Sequence, residues 1–269
     1  MGILSEGSGE KMLKDIDIRE KVAIESIKKA GEILVGSLDE SVHMKIKSDE
    51  TLVTEVDLKV EATILKLIRE KFPKDSILSE ETGNTTSDGP FRWIIDPLDG
   101  THNYIRRIST IGSSIALQLE DTVVLGVIYM PFTRELYIAK RGNGTYCNGK
   151  KIRVSERDMN RATLVFDSNI ISDKTGLMLD HFRKVTGNVF NLRMFGSTAR
   201  SLSYLAEGKV DVEIEYTDKI WDFASGAILI EEAGGKVTDL GGNKWNTEMK
   251  EYLASNGLIH EHILKILNS

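Results

Sequence analysis

The chain has a single cysteine, Cys147, which excludes an internal disulfide and any multi-cysteine zinc or iron–sulfur site. That scarcity fits a reducing, cytoplasmic setting. Long apolar runs are also missing: no stretch approaches the roughly 20 residues that span a bilayer. Positive charge is not in surplus. The net charge is -6, so no global basic field exists to hold nucleic acid or an anionic membrane. A chain of this charge needs a local cationic centre to handle an anionic ligand, and bound metal supplies one.

Signals for export and common catalytic signatures are absent too. Residues 1–10 are Gly- and Ser-rich without an apolar core, unlike a signal peptide, and Glu6 stands where N-myristoylation requires Ser or Thr. Residues 1–12 therefore read as a disordered leader. No G-x-S-x-G elbow for serine hydrolysis occurs. Residues 144–151 approach a phosphate-binding loop, but Lys151 replaces the required Ser or Thr and the context is a turn-rich hairpin. His260-Glu261-His262 point different ways on a helix and read as exposed terminal residues. There is no internal repeat.

What remains is an ordinary globular composition, 41% hydrophobic and 28% charged over 269 residues, with ample length for a core. Helical spacing of apolar residues runs through Ile16, Val22, Ile27, Ala30, Ile33 and Leu34 to Gly36. It resumes from Val56 to Ile68 and stops at Pro73. Strands are predicted at 77–78, 91–95, 111–119, 123–130 and 135–139, an antiparallel meander. The second half alternates: strand 163–167, helix 175–185, strand 191–195, helix 198–207, strand 210–214. A helix at 222–233 capped by Gly234-Gly235, a strand at 252–255 and a helix at 261–267 follow. The pattern is α+β, two sheets alternating with pairs of helices. One domain over 13–269 is expected, with an α+β half to about 155 and an α/β half after it.

The most informative segment is Trp93-Ile94-Ile95-Asp96-Pro97-Leu98-Asp99-Gly100-Thr101. An apolar strand delivers Asp96, Pro97 turns the chain off the strand, and Asp99 returns beside Gly100, which permits a sharp bend. Two carboxylates so placed can face one point and seat a hard cation. The same Asp99-Gly100 pair also reads as a plain chain reversal. Glu80-Glu81 follow another strand, and Asp57 and Asp222 each open a helix, where an acid is favoured by the dipole alone.

Taken together, these segments resemble the inositol monophosphatase family, the lithium-sensitive magnesium phosphatases that include fructose-1,6-bisphosphatases and bisphosphate nucleotidases. The resemblance covers nearly the whole chain from Ile16 and rests on five ordered motifs. They are Thr54-Glu55-Val56-Asp57, Ser79-Glu80-Glu81-Thr82-Gly83, Trp93 to Asn103, Gly196-Ser197-Thr198-Ala199, and Trp221-Asp222-Phe223-Ala224-Ser225-Gly226 running on to Glu232-Ala233-Gly234-Gly235. It implies a layered αβαβα sandwich. It implies two to three Mg²⁺ ions, replaceable by Mn²⁺, on Glu80, Asp96, Asp99, Asp222 and the Leu98 carbonyl. Asp57 and Thr101 would polarise the attacking water, with Glu80 beside a further ion. The Gly100 and Thr101 N–H groups and Thr198 would hold the substrate, with Lys47 near its phosphate and Glu215 accepting from its hydroxyls. A homodimer is also implied.

The expected activity is hydrolysis of a small phosphorylated polyol or sugar: inositol-1-phosphate, fructose-1,6-bisphosphate, or both. The alternative is a 3'(2'),5'-bisphosphate nucleotidase, because Arg200 is a basic residue of the kind nucleotide-specific relatives carry there, whereas the acid Glu215 repels a second phosphate. A non-catalytic phosphosugar-binding protein on the same fold ranks last, since every ligand carboxylate is present.

Overall fold

The computed structural model describes residues 6–38, 44–46, 52–167 and 174–269. Helix α1 (Glu6–Gly36) begins inside the stretch expected to be a disordered leader, so residues 6–12 belong to a helix instead. Its spaced apolar residues Ile16, Ala23, Ile27, Ala30 and Leu34 are buried. A short hairpin of β1 (Met44–Ile46) and β2 (Leu52–Thr54) leads into α2 (Glu55–Lys71). Thr54 caps α2 and Asp57 completes a capping box, while the helix stops just before Pro73.

The first sheet has eight strands in the order β10-β9-β8-β7-β6-β5-β3-β4. They are β3 (Ser76–Ser79), β4 (Gly83–Thr85), β5 (Phe91–Asp99), β6 (Gly112–Leu119), β7 (Thr122–Met130), β8 (Glu135–Lys140), β9 (Gly144–Cys147) and β10 (Lys150–Ile152). From β5 to β8 it is the antiparallel meander expected, which β9 and β10 extend, but β3 departs from that expectation by pairing parallel to β5. The short helix α3 (Thr101–Ile105) leaves the end of β5. The second sheet has five strands in the order β12-β11-β13-β15-β14, made of β11 (Thr163–Val165), β12 (Asn191–Arg193), β13 (Val212–Glu215), β14 (Lys236–Thr238) and β15 (Tyr252–Ser255). Among these helices lie α4 (Thr175–Thr186), α5 (Thr198–Ala206), α6 (Ile220–Glu232) and α7 (His260–Leu267).

The layers follow from three buried clusters. Helices α1 and α2 cover one face of the large sheet, packing Ile27, Ile64 and Ile68 against Trp93, Ile95 and Val127. Between the two sheets lie α5 and α6, whose Leu202, Phe223 and Ile228 meet Ile94 and Ile128 on one side and Ala254 on the other. Helices α4 and α7 close the outer face of the small sheet over Leu164, Ile214 and Leu253. The order is αβαβα. Buried between sheets, α6 carries eight consecutive buried residues from Phe223 to Ile230, as a helix apolar all round must. Its close seating requires Gly226, where a Cβ would stand 2.2 Å from Leu202 Cδ1. Among the described residues no helix is long and apolar enough to cross a membrane.

His260 corrects the sequence reading. It is fully buried, not an exposed terminal residue, and its ring nitrogens meet Ser255 Oγ at 2.8 Å and Thr238 Oγ1 at 2.9 Å. Burial pushes its pKa down to about 4. Strand spacing could not find this, because the two hydroxyl partners come from separate strands.

Candidate active site

Five acids that lie apart in sequence are brought to one edge of the large sheet. Strand β5 does not end at Pro97 as expected. It runs on to Asp99 with a register shift between Asp96 and Asp99, so the proline makes a bulge and both acids stay on the strand end. The Ser113 hydroxyl fixes that bulge by donating to the Pro97 carbonyl at 2.6 Å. Gly100 then turns at φ +85°, and a Cβ there would come within 3.1 Å of the Thr110 carbonyl oxygen and 3.3 Å of that of Gly196. A side chain is excluded by both torsion and space.

The acids from the helices are aimed by one device used twice. Asp57 and Asp222 are each the third residue of a helix, and each accepts from the backbone N–H of the residue three before it: Thr54 at 2.9 Å and Lys219 at 2.6 Å. One oxygen is tied to the helix start, and the other is left to face the site. For Asp57 that oxygen lies 3.1 Å from Thr101 Oγ1, which is also 3.2 Å from the Leu98 carbonyl. Glu80 stands just past β3, its N–H donating to the Ile95 carbonyl at 3.2 Å. The following turn is gripped by Glu61, which accepts from the N–H groups of Glu81 and Thr82, both at 3.1 Å.

Asp99 is held by the start of α5. The Ser197 hydroxyl and the Thr198 N–H, at 3.0 Å, both donate to it. Burial still dominates and raises its pKa to about 6. Asp96 is pushed well above the carboxylate range, first by burial and then by Glu80, Asp99 and Asp222. Asp222 is raised in the same way, by burial and then by Glu80. Burial also raises Asp57. Among the described residues no ion pair reaches Asp57, Asp96, Asp99 or Asp222. Buried acids so crowded cannot all ionise without a cation.

Every side-chain donor in this cluster is hard oxygen, the donor type that suits Mg²⁺ or Mn²⁺. Among the described residues no group of three or more Asp, Glu, His or Cys side chains is spaced to hold a metal ion as it stands. Neither of two cavities, about 410 and 480 Å³, touches the acids; both lie around His262 of α7.

The remaining expected residues fare differently. The Thr198 hydroxyl points to Asp218, 3.3 Å away. Glu215 is buried at the end of β13, with one oxygen accepting from the N–H groups of Tyr216 and Thr217 at 2.8 and 3.0 Å. It borders the cluster, since its charge raises both Asp218 and Asp222. Arg200 does not join: its guanidinium donates to Glu135 at 2.6 Å and to Thr133 Oγ1 at 2.9 Å, so the expected reach toward substrate is not met. Lys47 lies outside the described residues.

Sequence reasoning missed several supports. Asp218 accepts from the Tyr252 hydroxyl at 2.9 Å, and its pKa is raised by burial and then by Glu215. Asp167 accepts from the N–H groups of Phe195 and Gly196, both at 3.0 Å, and from the Ser201 hydroxyl. The Asn103 amide donates to the carbonyls of Thr110, Phe195 and Gly196, lacing the α3 loop to the turn before α5. Asp167 had a legible signal, an acid at the end of a predicted strand, as Asp96 had.

Comparison with known proteins finds relatives in both sequence and fold. Residues 15–269 match the model of the inositol monophosphatase family. A fructose-1,6-bisphosphatase/inositol-1-monophosphatase of Thermotoga maritima is 34% identical over 91% of this chain and 94% of its own. The crystal structure of extragenic suppressor protein suhB from Bartonella henselae superposes with a TM-score of 0.90 at 32% identity, over 94% of this chain and 99% of that one. A solved IMPase/NADP phosphatase complexed with Mg²⁺ and phosphate gives a TM-score of 0.81 at 25% identity, over 96% and 97% of the two chains.

Proposed function

Because this chain belongs to the inositol monophosphatase family, we propose that it is a metal-dependent phosphomonoesterase acting on a small phosphorylated polyol or sugar, with inositol-1-phosphate its main substrate and fructose-1,6-bisphosphate a second. The observation that carries the reading is the buried cluster of Asp96, Asp99 and Asp222 with no cationic side chain paired to it among the described residues. Such a cluster repels phosphate unless cations fill it. Glu80, Asp96, Asp99, Asp222 and the Leu98 carbonyl would hold two to three Mg²⁺ or Mn²⁺ ions. When bound, the ions neutralise charge developing on the phosphoryl oxygens and orient in-line attack.

The protein's own groups then perform the proton work. Thr101 Oγ1 accepts a proton from the attacking water and passes its own to Asp57 Oδ1, 3.1 Å away. Burial raises the Asp57 pKa, which makes the carboxylate a better base than a solvated one. The first N–H groups of α3 have no acceptor within the helix, and those of Gly100 and Thr101 would cradle the phosphate. Glu215, with Thr198 and Asp218 beside it, would meet the hydroxyls of the leaving alcohol. Residence in the cytoplasm and assembly as a homodimer complete the reading.

The nucleotidase alternative rested on Arg200, which is engaged with Glu135, so polyol phosphates are favoured. Phosphate release with Mg²⁺ across inositol-1-phosphate, fructose-1,6-bisphosphate and 3'-phosphoadenosine-5'-phosphate tests this. Fastest turnover of the nucleotide overturns the substrate assignment, and no release from any of them overturns the activity.

A further inference from the structure

Arg200 is buried, with its side chain 3% exposed, although it sits at the third position of α5 near a site full of acids. Its guanidinium bridges two layers. It donates to Glu135, the first residue of β8, and to Thr133 in the turn before it, and it lies 4.5 Å over the ring of Tyr204. Its backbone faces the other way. The Arg200 N–H donates to Ser197 Oγ at 3.2 Å, and the Ser197 hydroxyl in turn donates to Asp99. The adjacent Thr198 N–H holds the second Asp99 oxygen at 3.0 Å. Asp99 is thus oriented wholly by the first turn of α5.

Asp167 and Asn103 grip the turn that enters α5, through Phe195 and Gly196. Asp167 also accepts from the Ser201 hydroxyl, so these contacts hold the first turn of α5 from the side of the small sheet. The Arg200 bridge is the side-chain tie of that same turn to the large sheet, through Glu135 and Thr133.

We propose that Arg200 is a positioning residue. By anchoring α5 to Glu135 and Thr133 it sets the Ser197-Thr198 turn, and through it the orientation in which Asp99 is presented to a cation. This rests on the metal-site reading above. Small displacements of a positioned group have large effects, about 100-fold for roughly 1 Å. The role differs from substrate contact, which would act on substrate affinity with metal binding intact. Glu135 also meets Lys209 at 3.3 Å, so removing Arg200 does not strand its carboxylate.

The test is Mn²⁺ binding to the substrate-free protein, followed through the electron paramagnetic resonance of free Mn²⁺, in wild type, Arg200→Met, Glu135→Gln and the double variant. Each single variant is expected to weaken Mn²⁺ binding about tenfold, and the double variant no further, because both break one bridge. At saturating metal the KM for inositol-1-phosphate should stay within about twofold of wild type. Arg200→Lys, which keeps charge and stem, should recover part of the affinity, and it carries the test if Arg200→Met does not fold. Unchanged Mn²⁺ affinity in the folded variants overturns the proposal, as does a raised KM with metal binding intact. A wild-type protein that binds no Mn²⁺ overturns the metal reading itself and this proposal with it.

Discussion

Replacing Asp99 by asparagine should stabilise the metal-free protein while disabling the enzyme. Asp99 has a pKa of about 6 in the fold, against an ordinary value of 3.8. A raised folded pKa means that the stability contributed by the protonated form is complete below pH 3.8 and lost as pH rises through about 6. Above pH 6 the wild type carries a charge that the buried cluster disfavours by about 3 kcal/mol, at 1.36 kcal/mol per pKa unit. Asparagine never ionises. It keeps an acceptor for the Thr198 N–H but disturbs the Ser197 hydrogen bond, a loss of about 1 kcal/mol. The net gain is about 2 kcal/mol, or roughly 4–8 °C in Tm for a chain of this size. Thermal melts in EDTA should show the variant above wild type at pH 8 and the gap closing toward pH 4. Added Mg²⁺ should reverse the order, since binding at about 100 times Kd stabilises wild type by about 2.7 kcal/mol. A variant less stable than wild type in EDTA at pH 8, or a gap that ignores pH, would refute the reasoning.

Gly226→Ala puts a methyl 2.2 Å from Leu202 Cδ1 in the layer between the sheets, and should lower stability by about 1–3 kcal/mol in denaturant titrations. His260 has a pKa near 4 in the fold, so stability is lost as pH falls from about 6.5 toward 4, where only the unfolded chain takes up the proton. In His260→Asn that acid-side loss, up to about 3 kcal/mol, should shrink, as pH-dependent urea melts would reveal. Glu215→Gln removes a charged acceptor worth roughly 1.5–3 kcal/mol, so KM for inositol-1-phosphate should rise about 10-fold or more, measured by phosphate release.

Much of the layering was legible because α1 and α2 bury one face each and keep a clean apolar period, while β5, β6 and β7 are buried on both faces and read as continuous apolar runs. α6 was legible for the opposite reason, being apolar throughout and closed by Gly234-Gly235. Short elements were not: β4, β14 and the β1–β2 hairpin have three residues per strand and no period to read. In the site, Asp96, Asp99, Asp57 and Asp222 stand at strand ends and helix starts, places that a turn or the helix dipole also explains, and it is the family resemblance that singles them out. Arg200 was misplaced because its partner Glu135 is 65 residues away, and only packing of α5 on the sheet brings them together. Asp218 and Asn103 escaped for the same reason, since their partners Tyr252 and Phe195 belong to distant segments.

The central claim is that the carboxylate cluster acts on phosphate only when filled by metal. The direct measurement is phosphate release from inositol-1-phosphate by protein dialysed against chelator, before and after Mg²⁺ is restored. Activity should vanish on chelation and return with Mg²⁺ or Mn²⁺. Full activity on any phosphomonoester in the chelated sample would contradict the account.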